Sequence, residues 1–154
     1  MSSARQITRD DVLSMDEYGK MRAAKRREMI ELKKPRRVPV GPDATFYFEN
    51  YETMWAQVHE MLWIERGGEE QIVDELAAYN PLIPQGRELV ATLMFEIDDP
   101  VRRDATLRKI THVETMISLR VGDVVVKAEP TDDDHVERTK ADGKTSSITS
   151  CASL

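Results

Sequence analysis

Tyr79-Asn80-Pro81-Leu82-Ile83-Pro84-Gln85-Gly86-Arg87 runs directly into Glu88-Leu89-Val90-Ala91-Thr92-Leu93-Met94-Phe95-Glu96-Ile97 and then Asp98-Asp99-Pro100, so residues 79–100 read as a rigid turn, a strand and a helix start. Pro81 disfavours helical geometry at Asn80 and closes whatever helix precedes it. Leu89, Ala91, Leu93, Phe95 and Ile97 alternate with a second set, Val90, Thr92 and Met94, that is itself partly apolar. A strand covered on both faces reads this way, which predicts a central strand over 88–97. Asp99 before Pro100 is a helix N-cap followed by a proline at the first helical position, where its missing N–H is no loss. The stretch contains no nucleophile, metal-ligand cluster or phosphate-cradling glycine loop.

On the N-terminal side, Ser14 and Glu17 have the spacing of a capping box, and Tyr18, Met21, Met29 and Leu32 follow at helical spacing until Pro35, predicting a helix over 15–34. Val38 and Val40, the turn signal Gly41-Pro42-Asp43, and Thr45-Phe46-Tyr47-Phe48 predict a hairpin over 37–48. Asn50 caps an apolar stripe of Tyr51, Met54, Trp55, Val58, Met61 and Leu62, giving a helix over 50–66 that Gly67-Gly68 ends, and a shorter helix spans 69–79. Beyond the central strand, a helix to about Ile110 leads into an alternating run from Val113 to Val121. Gly122-Asp123 then fits a II′ turn before Val124-Val125-Val126. The predicted fold is α+β: an antiparallel sheet of about four to six strands, centred on 88–97 with 112–128 alongside, covered mainly on one face by three or more helices. Residues 1–130 form one domain on this reading, and 131–154 a polar tail.

A chain of 154 residues can bury roughly 70% of its unfolded surface, enough for one core. The net charge of −6 argues against indiscriminate nucleic-acid or anionic-membrane binding. One cysteine, Cys151, excludes an internal disulfide and a cysteine-built zinc site, as expected in a reducing compartment. No apolar run reaches the ~20 residues of a membrane span, and no signal-peptide core opens the chain, so the cytoplasm is the expected location.

The sharpest electrostatic feature is Lys20, Arg22, Lys25, Arg26, Arg27, Lys33, Lys34, Arg36 and Arg37, opposed locally only by Glu28 and Glu31. Such a face can steer an acidic protein or neutralise nucleic-acid phosphates, or it can simply be a solvated helix surface. No aromatic residues interleave with it to stack bases, which weighs against single-stranded nucleic acid. His59, His112 and His135 are the only histidines and make no metal-ligand spacing; there is no Glu-x-x-His of the kind that builds di-iron sites. His59 and Trp63, four apart, share a helix face that can be a contact patch or plain packing.

Several blocks together resemble a bacterial family known only as domain of unknown function 3501: Ile7-Thr8-Arg9-Asp10-Asp11, Asp16-Glu17-Tyr18, Arg36-Arg37-Val38, Phe48-Glu49-Asn50, and above all Tyr79 to Pro84 and Ala91-Thr92-Leu93-Met94. The resemblance covers residues 7–128. It implies an accessory role in a cytoplasmic redox or peroxide-defence system, beside a rubrerythrin-like protein and an iron–sulfur oxidoreductase. Where family members close on a strand of the form His-x-Leu-Arg-Phe, this chain has Ile148-Thr149-Ser150-Cys151-Ala152-Ser153-Leu154. Codons AUC ACG UCC UGC GCU UCG for residues 148–153 give His-Val-Leu-Arg-Phe when read two bases later, so a frameshifted C-terminus is expected, with an unpaired sheet edge beside 88–97.

The functional expectation is a non-enzymatic adaptor without catalytic, cofactor or metal residues of its own. Lys25, Arg26, Arg27, Lys33, Arg36 and Arg37 would steer a protein partner, and His59 with Trp63 would anchor it. A redox-enzyme subunit sharing a metal or cofactor at an interface is the second reading, and nucleic-acid binding through the basic helix the third.

Overall fold

Ser14 starts the first long helix, α1 (Met15–Lys33), by accepting from the Glu17 amide while the Glu17 carboxylate accepts from the Ser14 amide, the reciprocal box its spacing predicts. The computed structural model describes residues 5–110, 113–131 and 147–153, which fall into two compact units. One comprises Met1–Arg36 with Glu49–Gln85, the other Arg37–Phe48 with Gly86–Leu154.

The first unit is helical. After α1 come α2 (Tyr51–Glu65), capped by the Asn50 side chain on the Thr53 amide, and α3 (Gly68–Tyr79). α2 does not run into its glycines: Arg66 takes the left-handed conformation (φ 55°) and reverses the chain one residue earlier. Val58, Met54, Leu62, Tyr18, Met29 and Ile72 make the core. The segment before α1 is extended apart from a 3-10 turn at Arg9–Asp11, so its backbone groups need partners from elsewhere. Asn80 supplies two: its amide oxygen accepts from Ile7 N–H at 2.7 Å and its nitrogen donates to the Ile7 carbonyl at 2.9 Å. Gln85 holds Arg5 in the same two-bonded way, both at 2.8 Å.

The second unit is built on a five-stranded antiparallel sheet. Its strands are β1 (Arg37–Val40), β2 (Ala44–Phe48), β3 (Glu88–Phe95), β6 (Glu129–Pro130) and β7 (Ser147–Ser153), in the order β1-β2-β3-β7-β6. β3 is central, as its two apolar faces require: Leu93 lies opposite Phe46 on one side and Ile148 on the other. Asp99 caps α4 (Pro100–Lys109), whose Leu107, with Ile110 just beyond, packs against buried Leu93 and Phe95. The fold is thus mixed α+β.

Two expectations are corrected here. Residues 113–128 do not pair with β3 as strands, although Val113 and Ile117 pack against Leu93 and Phe95. Val113–Thr115 turns as a short 3-10 helix, with Val113 N–H on the Ile110 carbonyl and Met116 N–H on that of Val113, so those amides are spent locally. β4 (Ser118–Val121) and β5 (Val124–Lys127) then pair only with each other, around a turn where Gly122 alone has positive φ, as a II′ turn needs. Nor is the edge beside β3 unpaired: β7 occupies it from Glu88↔Ser153 to Met94↔Ser147. Main-chain pairing asks little of side-chain identity, so this segment can complete the sheet whatever its reading frame. Leu93→Ala should cost about 2–5 kcal/mol of stability, read as a lower urea midpoint at unchanged slope.

Candidate functional site

Tyr18, Arg22, Lys25, Met29 and Leu32, three and four apart, share one face of α1, and Tyr18, Arg22 and Lys25 of that face reach α2. Two of these five are cations. Each is compensated by α2. The Glu60 carboxylate receives Arg22 in a two-bonded fork, Nε and Nη2 both at 2.9 Å, and also accepts the Tyr18 hydroxyl at 2.6 Å. With side chains only 26% and 22% exposed, the Arg22–Glu60 pair is partly withdrawn from water and its fork geometry is the strong kind. Arg22 holds the Glu60 carboxyl below the ordinary carboxylate range, with the Tyr18 bond adding to it against the cost of burial. Burial first, and then the bond to Glu60, push the Tyr18 phenol well above its usual value.

Around Tyr18 stand three further rings. His59 stacks on Trp55 at 3.8 Å between centroids, Tyr18 lies 5.0 Å from His59, and it meets Trp55 and Trp63 edge-on at 6.1 and 6.2 Å. Cations cap the indoles: Lys25 is 5.0 Å from the Trp55 ring, Arg22 5.3 Å and Arg66 4.0 Å from that of Trp63. Arg66 also donates from Nε to the Trp63 carbonyl at 2.8 Å, contacts that offset the cost of a left-handed non-glycine residue. Gly19 lets Trp63 lie against α1, since a Cβ there would stand 2.7 Å from the indole.

His59 corrects the sequence expectation. It is fully buried, 0% exposed, and so cannot anchor a partner on the surface. Its Nε2 accepts from Leu13 N–H at 3.0 Å, which leaves the proton on Nδ1, donating to the Trp55 carbonyl at 2.8 Å. Trp55 donates in turn to the Asp11 carbonyl at 3.0 Å. Both α2 side chains therefore clasp the extended N-terminal segment. Trp63 is half-buried, packed between Gly19 and two guanidinium groups.

The six proposed steering cations divide. Lys25 turns inward, 16% exposed, paired with Glu28 and set over Trp55. Arg26 and Arg27 are exposed, Lys33 is half-buried, and none of the three makes an ion pair among the described residues. Arg36, half-buried, lies in a 3-10 turn after α1, whereas Arg37 belongs to β1 of the other unit, 4.0 Å from Glu96. The sequence marks Arg22 only as one cation of the basic cluster, and does not mark Tyr18, Trp55, Glu60 or Arg66 as site residues. The 18–22–25 spacing on α1 and the 55–59 spacing on α2 were visible, but which carboxylate meets which cation is a matter of helix docking. His112 and His135 lie outside the described residues. Among the described residues no three His, Cys, Asp or Glu side chains converge as a metal site would require, and no helix is long and apolar enough to cross a membrane.

The family described as Protein of unknown function (DUF3501) matches residues 6–150, and this chain belongs to it. A crystal structure of a novel protein of unknown function from Burkholderia pseudomallei is similar at 36% identity and a TM-score of 0.85, over 97% of this chain and 78% of that one. No curated protein matches.

Two outcomes follow from the cluster. Gly19→Ala gains about 1 kcal/mol of helix propensity but forces the Trp63 ring to move, a strain of typically 1–3 kcal/mol, so net destabilisation and a shifted tryptophan emission are expected in denaturant titrations. Burial lowers the His59 pKa from 6.5, opposed by the Trp55 carbonyl and helped by Lys25, so the unfolded chain takes up that proton first. Its stabilisation is whole above pH 6.5 and is lost as pH falls through 6.5 toward the lower folded value. Melting temperature should therefore drop between about pH 6.5 and pH 5, less steeply in His59→Gln, as read by circular dichroism.

Proposed function

We propose that this protein is a non-enzymatic adaptor that docks an acidic protein partner through the outward face of α1. The observation that carries the reading is the composition of that face. With 3.6 residues per turn, Lys20, Ala23, Arg27, Ile30 and Lys34 lie opposite the Tyr18–Met29 seam, flanked by Arg26. Ile30 is 61% exposed, an apolar contact flanked by the exposed Arg26 and Arg27, with Lys34 paired to Glu31 at 2.7 Å beside it. Arg22 and Lys25 take no part, because Glu60 and Trp55 already engage them. The surrounding charge would speed encounter with an acidic surface. The single cysteine suits a reducing, cytoplasmic setting, and a redox enzyme such as an iron–sulfur oxidoreductase or a rubrerythrin-like protein is the partner class that family resemblance suggests.

Arg26→Glu with Arg27→Glu should abolish salt-sensitive co-purification of the partner from native cells while leaving the melting temperature close to that of the parent, since both side chains are exposed. Undiminished co-purification by the double variant overturns the reading.

A further inference from the structure

The interior of the α1–α2 pair holds a constellation that a docking surface does not require. We propose that it is a one-electron redox site, in which an oxidising equivalent taken up by Trp55 or Trp63 passes to Tyr18 as the Tyr18 proton moves to Glu60. The inference is independent of the docking role.

Both tryptophans of the chain border one phenol, at 6.1 and 6.2 Å between ring centroids, close enough for direct electron transfer. The two indoles are half-buried and can meet a small oxidant; Tyr18 is only 1% exposed and is shielded from coupling with other radicals. The direction of transfer follows from charge. An indole that loses an electron becomes a cation, and here it would form beneath Lys25 in one case and beneath Arg22 and Arg66 in the other. Those groups stabilise the neutral ring and penalise the oxidised one. Tyr18 escapes the penalty, because losing a proton with the electron leaves a neutral radical. Its hydroxyl already points at an acceptor, the Glu60 Oε1 at 2.6 Å, and the Arg22 fork fixes that carboxylate in place. The phenol is held protonated by its surroundings, so proton loss ahead of electron loss is disfavoured, and the 2.6 Å bond to Glu60 lets the two leave together.

The step balances with a one-electron oxidising radical as co-reactant. The oxidant takes one electron from an indole and becomes its reduced anion. The indole radical cation then takes one electron from Tyr18, regenerating neutral tryptophan, while the phenolic proton passes to the Glu60 carboxylate. The products are a neutral phenoxyl radical and a neutral carboxyl group.

Pulse radiolysis of the full chain with azide radical, which oxidises indoles selectively, tests this directly. Indolyl absorbance should decay as phenoxyl absorbance rises, at a first-order rate independent of protein concentration. Tyr18→Phe should leave the indolyl radical standing, and Glu60→Gln should slow the conversion roughly tenfold, equivalent to about 1.4 kcal/mol on the barrier. Decay of the wild-type indolyl radical without phenoxyl formation overturns the assignment, as does phenoxyl formation at the wild-type rate in Tyr18→Phe through Tyr47, Tyr51 or Tyr79. Should Tyr18→Phe fail to fold, equal rates in wild type and Glu60→Gln overturn it.

Discussion

Glu60 is the residue through which α1 is held to α2, and much of the helical unit is arranged around its two oxygens. An arginine and a tyrosine on the buried-side face of α1 would each be costly without a partner, the one for its charge and the other for its hydroxyl. A single carboxylate satisfies both, and it can do so only when the helices are in one rotational setting. That setting brings Tyr18 among His59, Trp55 and Trp63 and turns Arg26 and Arg27 outward. Among the described residues no buried side-chain nitrogen or oxygen lacks a hydrogen-bond partner, so the polar interior is closed. Polar specificity of this kind adds register to a seam whose remaining members, Met29 and Leu32, could pack in several ways.

The N-terminal segment is held by a second use of the same economy. Residues 5–13 form neither a long helix nor a strand, yet Ile7 and Val12 are buried. Gln85, Asn80, Trp55 and His59 each bond a main-chain group of Arg5, Ile7, Asp11 or Leu13 in turn. Side chains thereby do what a neighbouring strand would do in a sheet. The turn at 79–84 is therefore more than a stop for α3: Asn80 keeps helical geometry in spite of Pro81, the chain runs on as a 3-10 turn over Asn80–Leu82 before Ile83 becomes extended, and the Asn80 side chain clasps Ile7. In the sheet unit, Tyr47 donates to Glu96 while Arg37 lies 5.3 Å from its ring, so the tyrosine–carboxylate–arginine grouping occurs twice, once half-buried and once exposed. The first stands among His59, Trp55 and Trp63.

Much of the local structure was legible in the chain. The capping box at Ser14, the Asn50 and Asp99 caps and the hairpin at 37–48 rest on contacts between residues a few positions apart, which spacing encodes directly, and the central strand showed in its two largely apolar sets of alternate residues. Val113–Thr115 was misread because alternation of apolar residues cannot distinguish a strand from a turn whose amides find nearer carbonyls. His59 was misread because a histidine on a helix has the same spacing whether it faces solvent or a backbone amide forty-six residues away.

By itself the sequence determined the caps of α1, α2 and α4, the mixed α+β class, the central place of 88–97 and the basic excess of α1. Tertiary structure alone decided which of those cations are spent and which are free. Arg22 and Lys25 differ from Arg26 and Arg27 only by a rotation about the helix axis, and that rotation acquires meaning when Glu60 and Trp55 arrive from another helix. A pattern of three and four residues encodes a face; what the face touches depends on packing between segments far apart in the chain, which no local spacing contains.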